Sequence, residues 1–470
     1  MLLAFSIPGK ANTMNGDAPS YQHDTIQRIT WRLIPFMMLL YFVAFLDRAN
    51  VGFAAMDMNK DLDISQTLYG FGAGAFFLGY FLFEVPSNLL LHRFGARRWI
   101  SRIMISWGIV SAATALVVGA RSYIAIRILL GIAEAGFFPG MILYLTYWFP
   151  AATRGRMTAL FVAAIPISGI IGAPLSGYLM DLNGMYGLKG WQWMFIAEAI
   201  PALVIGAIVP FYLTDRPQQA AWLKPEQAQW IQSVLDRESR QKPHMPLLQA
   251  LFHPSILILS GVYFCMMVGL YGLYFWMPTV LGKDGAGISS ADVKWVAAIP
   301  PACGALVMFF YGRHSDQKSE REWHVATALL IGATGFGLTA ASANKDIAGS
   351  LAPVVTQAFA TLGFVFVAVG VFCAMATFWP LPSARLSGTA AAGGIAVINS
   401  IGNLGGFIGP YTIGALKDSR FGYTGGLLAT ALAMALGAIL IVATKSRASA
   451  SAQPGADATA VPESASAAQD

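Results

Sequence analysis

Charge is what this chain has little of. Asp, Glu, Lys and Arg make up 11% of its 470 residues, against about 25% in an ordinary soluble domain. A 56% hydrophobic composition and a mean hydropathy of +0.58 exceed what a soluble core can bury, and point to a helical chain crossing a membrane many times. Cysteine is scarce too. Cys265, Cys303 and Cys373 are odd in number and fall in apolar stretches, which argues against a disulfide framework and for small packing residues. The six histidines show no metal-ligand spacing, and no Gly-x-x-x-x-Gly-Lys-Ser/Thr phosphate loop is present. Neither metal, cofactor nor direct use of ATP is expected. With no nucleophile–base constellation, neither is an enzyme.

A formal charge of +6 and a pI near 9.1 do not indicate nucleic-acid binding, because the charges collect in short loops without a basic helix or aromatic-interleaved patch. The apolar opening from Met1 to Ile7 is too short for a signal peptide and has no basic n-region. Met14 begins a more ordinary polar leader, so Met1 and Met14 both stand as candidate starts.

What is present is a series of twelve apolar spans, each of the roughly 20 residues or more that a bilayer core of about 30 Å requires. They run over 32–55, 66–91, 97–118, 122–147, 155–180, 192–213, 254–281, 291–312, 323–342, 350–378, 386–415 and 422–443. The longest polar gap, 214–253, divides them six and six. The expected fold is an all-α polytopic membrane protein with 12 transmembrane helices in two pseudo-symmetric six-helix bundles, 32–213 and 254–443. Around these lie an amino-terminal segment 1–31, the central loop 214–253 and a tail 444–470 too rich in Ala, Ser and acid to build a core. With the amino terminus cytoplasmic, 20 of the 30 Lys and Arg fall in or beside cytoplasmic segments, so both termini and the central loop are expected inside. The halves echo one another. Gly169, Gly172, Pro174 and Gly177 of span five correspond to Gly402, Gly405, Gly409 and Pro410 of span eleven, small residues that let helices approach closely. The segment from Asn88 to Arg98 matches the loop from Gly312 to Asp316. Duplicated halves with a site between them is a transporter logic.

The informative charges lie inside the spans. Asp47 and Arg48 fall in span one, Arg127 and Glu134 in span four. A charge at mid-bilayer costs roughly 2.5–3.5 kcal/mol on insertion scales, and is kept where it faces a partner or a water-filled cavity. Arg127 and Glu134 are nearly two turns apart and share a face with Gly131. Span one runs outward and span four inward, which places Arg48 and Arg127 at similar depth, and two guanidiniums at one level make an anion site. The alternative is that Asp47 and Glu134 only neutralise the arginines and hold helices together. Glu84 shares the face of Tyr80 one turn nearer the cytoplasm; gating and a buried pair with a loop arginine are its two readings. Glu198 in span six is read as structural.

The sequence resembles the major facilitator superfamily, and within it the anion:cation symporter family of bacterial organic-acid and tartrate permeases. The residues that carry the resemblance are Phe45-Leu-Asp47-Arg48-Ala-Asn50-Val-Gly52, Glu84-Val-Pro86-Ser-Asn88, Gly95-Ala-Arg97-Arg98-Trp99 and Arg127-x-x-x-Gly131-Ile-Ala-Glu134. Further matches are Tyr147-Trp148-Phe149-Pro150, Gly190-Trp191-Gln-Trp193 and Asn399-x-x-Gly402-Asn403. Two departures stand out. His92 replaces the usual Asp of the loop after span two, while the second half keeps Asp316. Phe45 and Ile165 stand where sugar-acid permeases often carry Tyr and Gln, which argues against a polyhydroxy substrate. The resemblance implies a monomeric inner-membrane secondary transporter that imports a small organic carboxylate with protons by alternating access. It implies Asp47 and Glu134 as proton carriers and Arg48, Arg127, Tyr80, Tyr274, Trp379 and Asn399 as substrate contacts, with Glu84, Asp316 and Arg97 in gating or structural roles. An exporter or uniporter on the same fold is the alternative, and a carboxylate receptor that moves nothing is a more distant one.

Overall fold

The computed structural model describes residues 19–240, 254–318, 320–385 and 389–451. Every regular element among them is helical, as lipid demands of a chain whose backbone must satisfy its own hydrogen bonds. Eleven helices are long and apolar enough to cross a membrane: Tyr21–Asp61, Gln66–Phe94, Ala96–Leu116, Ala120–Thr146, Ala151–Met180, Gly190–Tyr212, Pro254–Leu281, Ser290–Lys318, Arg321–Ala343, Pro353–Pro382 and Gly422–Thr444. The expected eleventh span is made of Thr389–Asn403 and Gly405–Lys417. Leu404 between them keeps helical dihedrals (φ −63°, ψ −21°), so the chain continues in the same direction.

The boundaries differ from the sequence expectation at both ends of the chain. The first helix begins at Pro19, well before 32, and buries Thr25, Ile26, Ile29 and Thr30. The last continues to Ser451, into the segment expected to be structureless. The start-codon question, and most of the tail, lie outside the described residues. The central gap is not all loop, since it contains the helix Pro225–Arg240. This helix is held to the first half by Arg154 to Glu238 at 3.4 Å, and the turn before it by the stack of Trp148 on Trp222.

The end of the bundle carrying this loop is called the loop end below. At the other end the two halves meet closely. A Cβ at Gly70 would overlap the Pro410 carbonyl oxygen, and one at Gly414 would overlap that of Gln66; glycine lets spans two and eleven touch backbone to backbone there. Polar ties reinforce this closure. Lys60 pairs with Asp284 at 2.9 Å, the Thr67 hydroxyl donates to Asp418 at 2.7 Å, and the buried Lys294 pairs with Asp181. Tyr69 donates to the Phe275 carbonyl at 2.9 Å.

Adding one methyl at this contact should cost stability. Gly414→Ala overpacks spans two and eleven and should destabilise by about 1–3 kcal/mol, read as a lower melting temperature of the purified protein. Gly337→Ala, where nothing lies within 4 Å of the added carbon, should leave it unchanged. Equal melting temperatures would show that the contact is not tight.

Candidate functional site

Between the halves lies a narrow cavity. The first half contributes Arg48 and the rings of Tyr41, Phe45, Phe76, Phe77, Tyr80 and Phe138; the second contributes Tyr263, Met267, Tyr271, Met375, Asn399 and Asn403. One wall is therefore cationic and aromatic, and the other aromatic and amide.

Arg48 organises the site. Its Nη2 donates to Glu134 Oε1 in a buried ion pair, and its Nη1 donates to the Tyr271 hydroxyl at 3.0 Å. The guanidinium thus reaches from span one to span four and across to span seven. The faces of Phe76 and Tyr80 lie 5.1 and 5.8 Å from its central carbon, within cation–π range. Glu134 is presented by a break that the sequence reading did not anticipate. Span four stops at Glu134, Ala135 is extended, and Gly136 is left-handed (φ 84°) before the helix resumes at Phe137. A side chain at Gly136 would be strained at that φ and would also meet Ser87. A discontinuous helix at mid-membrane is where transporters place ion and substrate groups.

Asp47 is not the partner of Arg48. Consecutive helical residues point about 100° apart, and Asp47 faces span three. Its two oxygens accept from Trp107 Nε1 at 2.8 Å and Ser111 Oγ at 3.1 Å. Trp107 and Ser111 are four apart on one helix face; a Trp and a Ser at this spacing in an apolar span was the signal available and not used. The Phe76 ring lies against both guanidiniums, 5.3 Å from that of Arg127 and 5.1 Å from that of Arg48. Arg127 is buried, its Nη2 donates to the Ala73 carbonyl at 3.4 Å, and its Nε has no partner. A guanidinium has five N–H donors, so Arg127 keeps unused capacity on the closed side of the cavity.

The remaining residues divide. Tyr80 and Asn399 line the cavity. Tyr274 lines a second cavity with Asn50, Ser168, Ser176 and Pro301, and its hydroxyl donates to the Ile165 carbonyl at 3.3 Å. Trp379 packs against Tyr263 with centroids 5.0 Å apart and is not among the cavity-lining side chains. Glu84 has no loop-arginine partner among the described residues; its oxygens accept from Asn399 Nδ2 at 2.9 Å and Ser400 Oγ at 3.0 Å. Away from the cavity, Arg97 meets Asp215 at the end of span six, Asp316 meets Arg321 at 3.3 Å, and Glu198 accepts from Ser176 at 2.7 Å.

The family model described as Major Facilitator Superfamily matches residues 37–410. The chain belongs to the Major Facilitator Superfamily. A relative from Agrobacterium vitis named "Putative tartrate transporter" is 47% identical over 418 residues, covering 88% of this chain and 90% of that protein. One from Acinetobacter baumannii named "Quinolone resistance transporter" is 40% identical over 423 residues, covering 89% and 94%. Among solved structures, a D-xylose-proton symporter superposes with a TM-score of 0.69 at 16% identity, covering 87% of this chain and 97% of that one. The twelve-span reading and the superfamily resemblance thus agree with fold and family.

Trp107→Phe keeps the ring and removes the Nε1–H that Asp47 uses. Losing a hydrogen bond to a charged group costs roughly 1.5–3 kcal/mol, so the melting temperature should fall. The fall should be smaller in a Trp107→Phe/Asp47→Asn double variant, which no longer has the charge. Equal losses in the two would mean that Trp107 acts by packing alone.

Proposed function

We propose that this transporter carries a small organic carboxylate into the cell together with protons, and that Arg48 is the group for which the two compete. The observation that supports this is the ion pair between Arg48 and Glu134 at the cavity wall. While Glu134 is ionised it occupies the guanidinium. When it is protonated Arg48 is released, and a substrate carboxylate takes the vacated donors in a planar, charge-assisted contact. Anion and proton are then loaded together and must leave together, which is symport. Tyr271 holds the other side of Arg48 and aims the fork into the cavity.

The lining supports a small ligand, since one guanidinium, a ring of aromatic side chains and two amides enclose the space. Its body would lie among Tyr41, Phe45, Phe77 and Tyr263, and its far end at Asn399 and Asn403. A flat aromatic acid suits the rings; a short dicarboxylate, suggested by the relative named for tartrate, would present its second carboxylate to the amides. Arg127 would join the grip once Phe76 moves aside. The basic loop end is cytoplasmic in this reading, in an inner membrane of a bacterium, so the closed end faces outward and the cavity is ready to open inward. The relative named for quinolone resistance supports a second reading, export of aromatic acids. An imposed inward proton gradient across proteoliposome membranes separates the two: it should drive accumulation in symport and depletion in export.

Two substitutions test the competition. Glu134→Gln should retain substrate exchange and lose proton-driven accumulation, and its substrate affinity should no longer weaken as pH rises. Wild-type accumulation by Glu134→Gln would remove it as the proton carrier. Arg48→Lys keeps the charge but loses the planar fork. Affinity measured by ligand-induced stabilisation should fall about ten- to a hundredfold, corresponding to roughly 1.5–3 kcal/mol. Unchanged affinity would leave Arg48 a structural counter-ion.

A further inference from the structure

The second cavity has no part in the site described so far. It lies between the halves, lined by spans one and five of the first and spans seven and eight of the second. Phe45, Ile165 and Tyr274 part it from the central cavity. The Phe45 and Tyr274 rings meet with centroids 4.9 Å apart, and the Tyr274 hydroxyl donates to the Ile165 carbonyl at 3.3 Å. Phe45 and Ile165 line the central cavity, Tyr274 the second. On the far side stands Lys294. It is buried, its stem lies against Gly177, one residue beyond Ser176 of the cavity wall, and its ammonium is 4.2 Å from the centre of the Tyr178 ring. It pairs with Asp181 across the halves. On the cavity wall Asn50 is 1% exposed, and neither its amide nitrogen nor its amide oxygen has a hydrogen-bond partner. A buried amide left in this state is costly until a ligand or water meets it. Glu198 accepts from Ser176 and approaches the Asn50 amide without the geometry of a hydrogen bond; it is not among the lining side chains.

We propose that the second cavity is an outer binding chamber for the organic carboxylate, in which Lys294 captures the anion in place of Asp181 and passes it by way of Asn50 to Arg48. The inference rests on the carboxylate reading of the central cavity and on its orientation. Every contact that shuts the chamber crosses between the halves: Lys294 with Asp181, Tyr274 with Ile165, Phe45 with Tyr274. Separation of the halves at the closed end therefore parts all three together and opens one path from the outer face to Arg48. Lys294 then stands on the second half as a cation whose carboxylate has been carried off with the first. An incoming carboxylate takes that place in a charge-assisted contact. Further in, Asn50 offers its unused Nδ2 to the same group. Glu198 works the other way. Ionised, it repels an anion at Asn50, which makes the chamber a place of passage and leaves Arg48 as the point of rest. When the halves close, Lys294 returns to Asp181 and the anion stays inside.

The test separates capture from mere closure. Asp181→Asn breaks the ion pair and leaves Lys294 free. Asp181→Asn/Lys294→Gln has no pair either, so the two variants differ in the cation alone. The measurement is exchange of labelled tartrate and of labelled benzoate by right-side-out and inverted membrane vesicles. From the outer face, half-saturation of the double variant should lie about three- to tenfold above that of Asp181→Asn. From the cytoplasmic face, where Arg48 receives the anion directly, the two should agree. Asp181→Asn/Lys294→Arg restores a cation and should recover the outer value. If Lys294 only holds the closed end shut, removing it from a protein that already lacks Asp181 changes nothing, and equal outer values overturn the inference. So does a change on both faces, the sign of a shifted balance of conformations. Asn50→Ala loses no hydrogen bond of the closed state and should raise the outer value alone; an unmoved value overturns the inference where the double variant does not fold. Exchange of neither acid by the wild type removes the carboxylate reading and this inference with it, whereas exchange with equal outer values removes the inference alone.

Discussion

A permanent positive charge in an apolar bundle is the constraint on which the rest of this structure depends. An arginine cannot discharge itself in a protein, so Arg48 must be paired, solvated or given a ligand. The fold pairs it with Glu134, steadies it with Tyr271 and surrounds it with aromatic faces. Each partner comes from a different helix, so the charge holds spans one, four and seven in register. Span four breaks directly after this carboxylate, at the left-handed Gly136, which sits against Ser87 of span two. A buried pair of this kind is weak evidence of stability, since desolvation offsets most of its attraction. It is better evidence of a site where one partner is meant to be exchanged.

The two ends of the bundle are closed by different chemistry. Away from the loop end, glycines bring backbones into contact and several polar ties reinforce them, among them the buried Lys294 with Asp181. On the loop-end side of the cavity the tie between halves runs through one carboxylate, an amide and a hydroxyl. Backbone packing is insensitive to protons, and a lone carboxylate is not.

The fold was legible because its signals are long and redundant. Twelve apolar runs of bilayer length, a polar gap in the middle and an ordered series of family residues each point to the same architecture. The site was legible as a set of residue types and only partly as geometry. Arg48, Tyr80 and Asn399 line the cavity and Glu134 pairs with Arg48, but the pairing differs from what adjacency suggested. Asp47 precedes Arg48 in sequence and turns to Trp107 and Ser111, because neighbours on a helix do not face each other. Arg127 was placed level with Arg48 by counting turns, and counting cannot see the Phe76 ring that lies against both. Glu84 was given a loop arginine because buried carboxylates commonly find cations. Its actual partners are neutral donors more than 300 positions away, a distance over which no local pattern carries information.

Among the described residues the second half contributes no charge to the cavity wall, and this division of labour has a mechanical consequence. If both halves carried fixed charges at the cavity, each rocking motion would have to break and remake ion pairs in a dry interior, at a cost that grows as the dielectric falls. Here the paired charges, those of Arg48 and Glu134, sit on the same half. The opposing wall offers phenols and amides, which form neutral or singly charged contacts that exchange more readily. At the cavity wall the halves can therefore separate without pulling opposite charges apart; the ion pairs that cross between them, Lys60 with Asp284 and Lys294 with Asp181, lie at the other end.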